Sequence, residues 1–574
     1  MWDNAEGENL TDEEGGLSMF DEERNVEFLS YDGYEVQHDR DVLIFRFSFC
    51  NAVRMAPELK IDLSRYRQLV AELASLTTTD DANRQKCTRD RLQRMDRAVR
   101  AVGMVYAAWF YMRFYCPRIV VRAGPRMCPR ELAFWREHIF LRSLGEFYFV
   151  NKLDFRNSVE LVWEGVDADG GVDGDDHGHG RDHGHDHGHE RAAAGDQWAD
   201  GGWWETRKPK GVLVPLGGGK DSLLAFEVLK RTGAPLMWFY LAERYGEFDR
   251  NWRLSAIIRA SGEPPEEEDN PDTKRRPPTV PHATLEGLRE LEFSDKLWNS
   301  DWRAHIAPQC PPWAAMVAFS SVLVALLNDL DFIAVGNEKS ANFGNTTYLG
   351  MDINHQYDKS LVFERECNAF IREYITDDVY YFSALQPLWE IDIMKRFLRE
   401  GSNSRRNYLH LFISCNFPLE KEGSRWCANC PKCCFVFLLL SAYLPPREVW
   451  AVFGDNLLER ESLFVMFEEL LGREGRMKPL ECVGTDDEVR HCLALTRGQY
   501  RRHMPFHPLP GLFRHLGAHG ELEGDEGEDD EGDGAQLLHD GERMDGEEGE
   551  RRRREETLIP RWCWPALFPP SAGA

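Results

Sequence analysis

Nowhere in this chain does an apolar run last long enough to cross a bilayer. The longest, residues 313–327 and 434–444, fall short of the roughly 20 residues a spanning helix needs and read as buried helices. The first residues, Met1-Trp2-Asp3-Asn4-Ala5-Glu6, lack the apolar core of a secretory signal and the arginines of a transit peptide. A basic footprint is missing too, which argues against nucleic acid as a partner. The formal charge of the 574 residues is −28, but residues 521–550 carry 15 acids against one Arg. The first 23 residues carry 9 acids and no Lys or Arg, so the body between holds only −5. Cysteine is not scarce. In a long chain without a signal, its 14 cysteines are expected as thiols or metal ligands rather than as a disulfide framework. The expectation is a cytoplasmic enzyme with no membrane partner, its oligomeric state left open.

Two familiar phosphate loops are also absent. A Walker A loop needs Lys followed directly by Ser or Thr, and Asp221 separates Lys220 from Ser222. The dinucleotide fingerprint needs Gly or Ala where Ser222 stands. What is there is Val212-Leu213-Val214-Pro215-Leu216, then Gly217-Gly218-Gly219-Lys220-Asp221-Ser222, then Leu223-Leu224-Ala225-Phe226. The pattern predicts a strand, a tight turn and a helix. Glycines let a ligand approach backbone N–H groups, and the helix start adds free donors and a positive dipole end. An ordinary glycine-rich turn fits the same residues, but the flanking strand and helix favour a nucleotide phosphate.

Composition divides the chain. Residues 1–24 are acidic and expected to be disordered. Residues 25–164 read as an N-terminal α/β domain with a strand over 41–49, a helix over 91–115, and a helix followed by a strand over 132–151. It shows no catalytic constellation and is expected to shape or cover a site built elsewhere. Residues 165–207 are rich in Asp, Gly and His, with His177, His179, His183, His185, His187 and His189 closely spaced. Such a tract binds divalent metals weakly, but a solvated insertion is the simpler reading. Residues 208–500 read as the catalytic domain, interrupted by a polar loop over 262–281. In it, a buried helix over 313–327 feeds the strand Phe332-Ile333-Ala334-Val335. That strand opens into the polar run Gly336-Asn337-Glu338-Lys339-Ser340-Ala341, at the carboxyl end where parallel sheets bind ligands. The segment Asn354-His355-Gln356-Tyr357-Asp358-Lys359 offers acid and base groups. Residues 501–574 read as a mostly disordered acidic tail, with a frayed end at Trp562-Cys563-Trp564-Pro565.

Cys415, Cys427, Cys430 and Cys433 have the spacing of a tetrahedral four-thiolate site, closed and structural, for Zn²⁺. An iron–sulfur cluster uses the same ligands, and buried free thiols are the bland alternative. Cys434 is left to pack with the helix that follows.

Residues 217–222 resemble the pyrophosphate loop of the PP-loop ATPases, whose pattern is Ser-Gly-Gly-x-Asp-Ser, with Gly217 in place of the leading Ser. The whole ordered set resembles the ATP-dependent UDP-N-acetylmuramoyl-L-alanyl-L-glutamate epimerases. It comprises Leu144-Gly145-Glu146-Phe147, residues 214–222 and 336–341, Asn354-His355-Gln356-Tyr357, Tyr381-Phe382-Ser383, residues 426–433 and residues 478–484. The resemblance implies a Rossmann-like parallel sheet of the adenine nucleotide hydrolase kind. It also implies ATP and Mg²⁺ as cofactors and a nucleotide-sugar dipeptide as substrate. Its terminal L-Glu would be adenylated, inverted through Cα deprotonation, and released as D-Glu with AMP and pyrophosphate. It further implies that Gly217, Gly218, Gly219, Lys220 and Ser222 hold phosphates, with Asp221 near Mg²⁺. Asn337, Glu338 and Ser340 would line the adenylate or substrate. The base stays open among Cys482, His355, Lys359 and Glu481. Two rival readings accompany this one. The first is another PP-loop enzyme, of the 7-cyano-7-deazaguanine synthase or tRNA-modifying kind; the second is a non-enzymatic metal-binding scaffold.

Overall fold

The computed structural model describes residues 28–50, 53–76, 81–157, 159–165, 202–262, 280–288, 311–401, 408–415, 426–473, 475–517, 554 and 556–568. Residues 1–24, the His-rich tract, most of the loop over 262–281 and residues 518–553 lie outside that set, and the expectations placed on them with it.

Thirteen strands are described: β1 (Phe28–Gln37), β2 (Val42–Phe49), β3 (Val53–Met55), β4 (Glu58–Ile61), β5 (Arg118–Val121), β6 (Glu160–Trp163), β7 (Val212–Pro215), β8 (Leu236–Ala242), β9 (His282–Glu286), β10 (Phe332–Val335), β11 (Thr346–Tyr348), β12 (Met351–Ile353) and β13 (Tyr380–Ser383). Eleven form one sheet in the order β13-β10-β7-β8-β9-β4-β2-β1-β5-β6, with β3 beside β2; β11 and β12 form a separate hairpin. The block β13 to β9 is wholly parallel. It joins an antiparallel block through Lys60↔Glu286 and Ile61↔Leu285. The sheet is therefore mixed, and the two halves of the chain share it.

The alternation of side chains across a strand divides the core. Ile333, Val335, Leu213, Phe239 and Tyr381 point to one face, where the helices Ala82–Phe114 and Trp313–Leu327 pack. Phe332, Ala334, Val212, Val214 and Phe382 point to the other, with the helices Lys220–Lys230 and Pro431–Ser441. Trp313–Leu327 is buried nearly all round because it lies between the sheet and Ala82–Phe114.

Several local expectations change. Gly145–Val150 is a helix, not a strand. Its Phe-Tyr-Phe run suits a strand by propensity, but Phe147 and Tyr148 bury against Tyr111, Tyr115 and Phe140. The helix expected over 91–115 begins at Ala82. Strand β2 forms as expected and is buried except at Arg46, and the Ser48 hydroxyl pairs with Ser30 Oγ at 2.6 Å. Residues 202–207 carry a helical turn, with Trp204 stacked on Tyr380. The end of the chain is not frayed. Leu558, Ile559, Cys563, Trp564 and Leu567 are buried, and Trp562 meets the rings of Phe332 and Phe382. Among the described residues, no helix is long and apolar enough to cross a membrane.

Candidate active site

From β7 the chain runs to β8 and β9 on one side, then returns through β10 and β13 on the other. The strand order reverses between β7 and β10, and their carboxyl ends frame the crevice where open α/β sheets bind ligands. Both polar turns singled out in the sequence leave from these two strands.

The turn after β7 is held on both flanks. Leu216 N donates to Phe239 O at 2.7 Å, and Gly218 O accepts from Ile413 N at 2.9 Å. Gly218 has φ +74, which glycine adopts without strain. A Cβ on Gly219 would stand 2.9 Å from Ser414 Oγ, whereas one on Gly217 would meet nothing within 4 Å. The space over Gly217 is open, as a phosphate cradle requires. Ser222 Oγ turns back to Gly219 O at 3.1 Å. A Cβ on Gly336 would sit 2.9 Å from the backbone carbonyl of Asp221, so the turns after β7 and β10 press together.

Beneath the loop lies a buried charge cluster. Lys220 Nζ pairs with Asp221 Oδ1 at 2.8 Å and with the carboxylate of Glu390. Burial pushes Glu390 well above the usual carboxylate range, against the pull of Lys220. Glu338 is also buried, and its carboxyl is pushed up to about 7. Burial is the main cause; Asp221 and Cys482 add to it, while Lys359 and Lys220 oppose it. Glu338 thus feels the loop charges on one side and a lysine–thiol pair on the other.

That pair is Lys359 Nζ and Cys482 Sγ, 3.2 Å apart. His355 acts on the same thiol, and its Nδ1 pairs with the carboxylate of Glu146. Burial alone would raise the Cys482 thiol. Lys359, Lys432 and His355 together outweigh it and hold the thiol well below its usual range. For His355 burial would lower the value, but its bonds to Cys482 and Glu146 carry it up to about 10. Lys359 and His355 thus favour the thiolate form of Cys482.

Remote segments are tied together here by Asn345. Its Oδ1 accepts His355 N at 3.0 Å, and its Nδ2 donates to Pro479 O at 3.0 Å. Ser340 Oγ donates to Glu488 Oε2 at 2.8 Å, and Glu488 also closes the capping box of the helix Asp486–His503. Asn337 is buried, and its carbonyl accepts Ser383 Oγ at 2.6 Å. Glu481 faces Lys432 at 4.0 Å.

The sulfurs of Cys415, Cys427, Cys430 and Cys433 all lie within 4.8 Å of one another, with Cys427 and Cys433 3.6 Å apart. Four sulfurs about 2.3 Å from Zn²⁺ would stand about 3.8 Å apart. Asn429 N points at Cys427 Sγ (3.4 Å) and Cys433 N at Cys430 Sγ (3.5 Å), the amide contacts that suit thiolates. The donor set fits a metal ion. Cys434 stands apart, against Met466.

The crevice gathers Lys220, Asp221, Glu338, Lys359, His355 and Cys482. Ser222 and Ser340 spend their hydroxyls on protein partners. Sequence reasoning missed Glu146 and Glu390 as functional groups. Glu146 sat in the quoted Leu144–Phe147 motif and Glu390 opens the helix Glu390–Gly401, yet neither has a local signal naming its partner.

Fold and site define an α/β protein whose glycine-rich turn lies beside a carboxylate–lysine–thiol centre, with a cluster of four cysteines whose geometry fits a metal ion. Residues 22–247 and 303–384 match the family model described as the MurL N-terminal domain, and residues 411–506 match that of the MurL C-terminal domain. The chain belongs to the MurL family. It is 30% identical over 288 residues to the UDP-N-acetyl-alpha-D-muramoyl-L-alanyl-L-glutamate epimerase of Xanthomonas oryzae pv. oryzae, covering 50% of this chain and 56% of that protein. To the protein of the same name from Salinispora tropica it is 33% identical over 287 residues, covering 49% of this chain and 55% of the other. The chain spans about half the length of the curated relatives it matches.

Proposed function

We propose that this protein is an ATP-dependent epimerase that inverts the terminal L-glutamate of UDP-N-acetylmuramoyl-L-alanyl-L-glutamate. The observation that carries the reading is the meeting, in a MurL-family chain, of an open glycine turn with a thiolate–lysine–imidazole centre. The turn over residues 217–222 receives the β- and γ-phosphates of ATP, with Lys220 countering their charge. Asp221 is the residue to hold Mg²⁺, which neutralises charge on the phosphates, and Asn337 and Ser340 line the nucleotide side. The four cysteines hold a structural Zn²⁺.

The substrate α-carboxylate attacks the α-phosphorus of ATP and pyrophosphate leaves. A carboxylate resists loss of its Cα proton because its own charge opposes a carbanion; the acyl-adenylate removes that charge. Glu338, titrating near neutrality, and His355, charged beside Cys482, are the groups that exchange the Cα proton. Incubation with ATP, Mg²⁺ and the UDP-dipeptide in D₂O tests the reading. AMP, D-glutamate and one deuterium at Cα are expected. AMP without inversion, or no substrate-dependent AMP, refutes it.

A further inference from the structure

Cys482, His355 and Glu146 act in series: the Glu146 carboxylate pairs with His355 Nδ1, the same imidazole acts on the Cys482 thiol and helps hold it below its usual range, and Lys359 Nζ stands 3.2 Å from the sulfur. A carboxylate that orients an imidazole against a sulfur is the arrangement by which proteins make a cysteine nucleophilic. Two further features favour attack on carbon. Cys482 is partly exposed, whereas Cys367, Cys434 and Cys492 are buried. Lys359 Nζ, 3.2 Å from its sulfur, compensates the charge of a thiolate and is placed to steady the oxyanion formed when that sulfur adds to a carbonyl. Glu338, which feels the charges of Asp221 and Cys482 alike, connects the sulfur to the glycine turn where the carboxyl would be activated.

We propose that Cys482 takes the activated α-carboxyl of the substrate from AMP and carries it as a thioester while Cα is inverted. This rests on the adenylating reading above. The Cys482 sulfur adds to the acyl carbon, the C–S bond forms, the C–O bond to AMP breaks, and AMP leaves with that electron pair. Sulfur donates less to a carbonyl than oxygen does, so the neighbouring Cα–H is acidified. A thioester also resists water longer than a mixed anhydride, which leaves time for inversion. Glu338 takes the Cα proton and His355 delivers one to the opposite face. Acylation favours that delivery, because the sulfur no longer carries the charge that held the imidazolium. Water then adds to the carbonyl and the C–S bond breaks, the thiolate leaving with the electron pair. One proton of the water returns to His355, and the other passes to solvent with the one held by Glu338.

The test uses the full chain with ATP, Mg²⁺ and UDP-N-acetylmuramoyl-L-alanyl-L-glutamate, acid-quenched over a time course and analysed by peptide mass. An ATP-dependent acyl adduct on Cys482, removed by neutral hydroxylamine, is expected. Cys482→Ser should accumulate an oxygen ester at Ser, slowly formed and slowly hydrolysed. Cys482→Ala should still release AMP but epimerise at least ~100-fold more slowly. AMP and inversion with no adduct on Cys482, or a Cys482→Ala protein that epimerises within about tenfold of the parent, overturns the thioester and leaves the adenylating reading standing. Absence of substrate-dependent AMP overturns both.

Discussion

A carboxylate that accepts a proton and an imidazolium that delivers one work only in those charge states, so pH reaches this site through Glu338 and His355. Below about 7 the Glu338 carboxyl is protonated and cannot accept a proton. Above about 10 the His355 imidazolium is lost, and Cys482 loses the positive charge beside it. A kcat/KM profile should therefore be bell-shaped, rising through about 7 and falling through about 10. Glu338→Gln should abolish the acid limb with the activity it reports. Glu146→Gln keeps the shape of the side chain but removes a charge that supports the imidazolium. It should cut kcat at least ~10-fold and move the alkaline limb to lower pH; an unmoved limb would refute the link from Glu146 to Cys482. The residues were candidates in the sequence but their pairing was not legible there, because Glu146 and His355 stand 209 residues apart and Lys359 and Cys482 123 apart.

At the scale of elements, the strand–turn–helix unit around Gly217 was readable because it is local. A β-branched run, three glycines and a helix start occupy consecutive positions, and short-range sterics alone dictate the shape. Two glycines of the site differ in what they tolerate. Gly336→Ala drives a Cβ to 2.9 Å from the Asp221 carbonyl and should cost about 1–3 kcal/mol, read as a lower urea midpoint. Gly217→Ala meets no protein atom within 4 Å, so its midpoint should hold while the KM for ATP rises several-fold. Equal losses of stability in the two variants would contradict the open cradle. The cysteine cluster was legible for the same reason: two thiols three residues apart close on one ion. Elemental analysis should find about one metal ion per chain, and Cys430→Ala should lose it along with several kcal/mol of stability. The aromatic run in Gly145–Val150 misled because strand propensity yields to packing, and the rings that overrule it come from Ala82–Phe114 and the turn of chain beyond it.

At the scale of the molecule, the end of the chain is part of the core. Leu558, Ile559, Cys563, Trp564 and Leu567 are buried in the core, Trp562 meets Phe332 of β10 and Phe382 of β13, and Tyr380 Oη donates to Leu558 O at 3.0 Å. At roughly 1.5–3 kcal/mol per large apolar side chain, removing residues 556–574 should cost a large share of the 5–15 kcal/mol that holds a typical domain together. Thermal unfolding of the shortened chain should show a markedly lower midpoint or no cooperative transition. The joining of the two halves into one sheet through β4 and β9 was equally illegible, since register between distant strands is set by the cores on both faces. What the sequence determined alone was everything that depends on neighbours along the chain: the glycine turn, the buried helix Trp313–Leu327, the cysteine spacing and the low-complexity composition. What the tertiary structure decided was which charges meet. Glu338, His355, Lys359 and Cys482 acquire their perturbed protonation only when segments far apart in sequence are packed together, because desolvation and Coulomb interaction act through space and not along the chain.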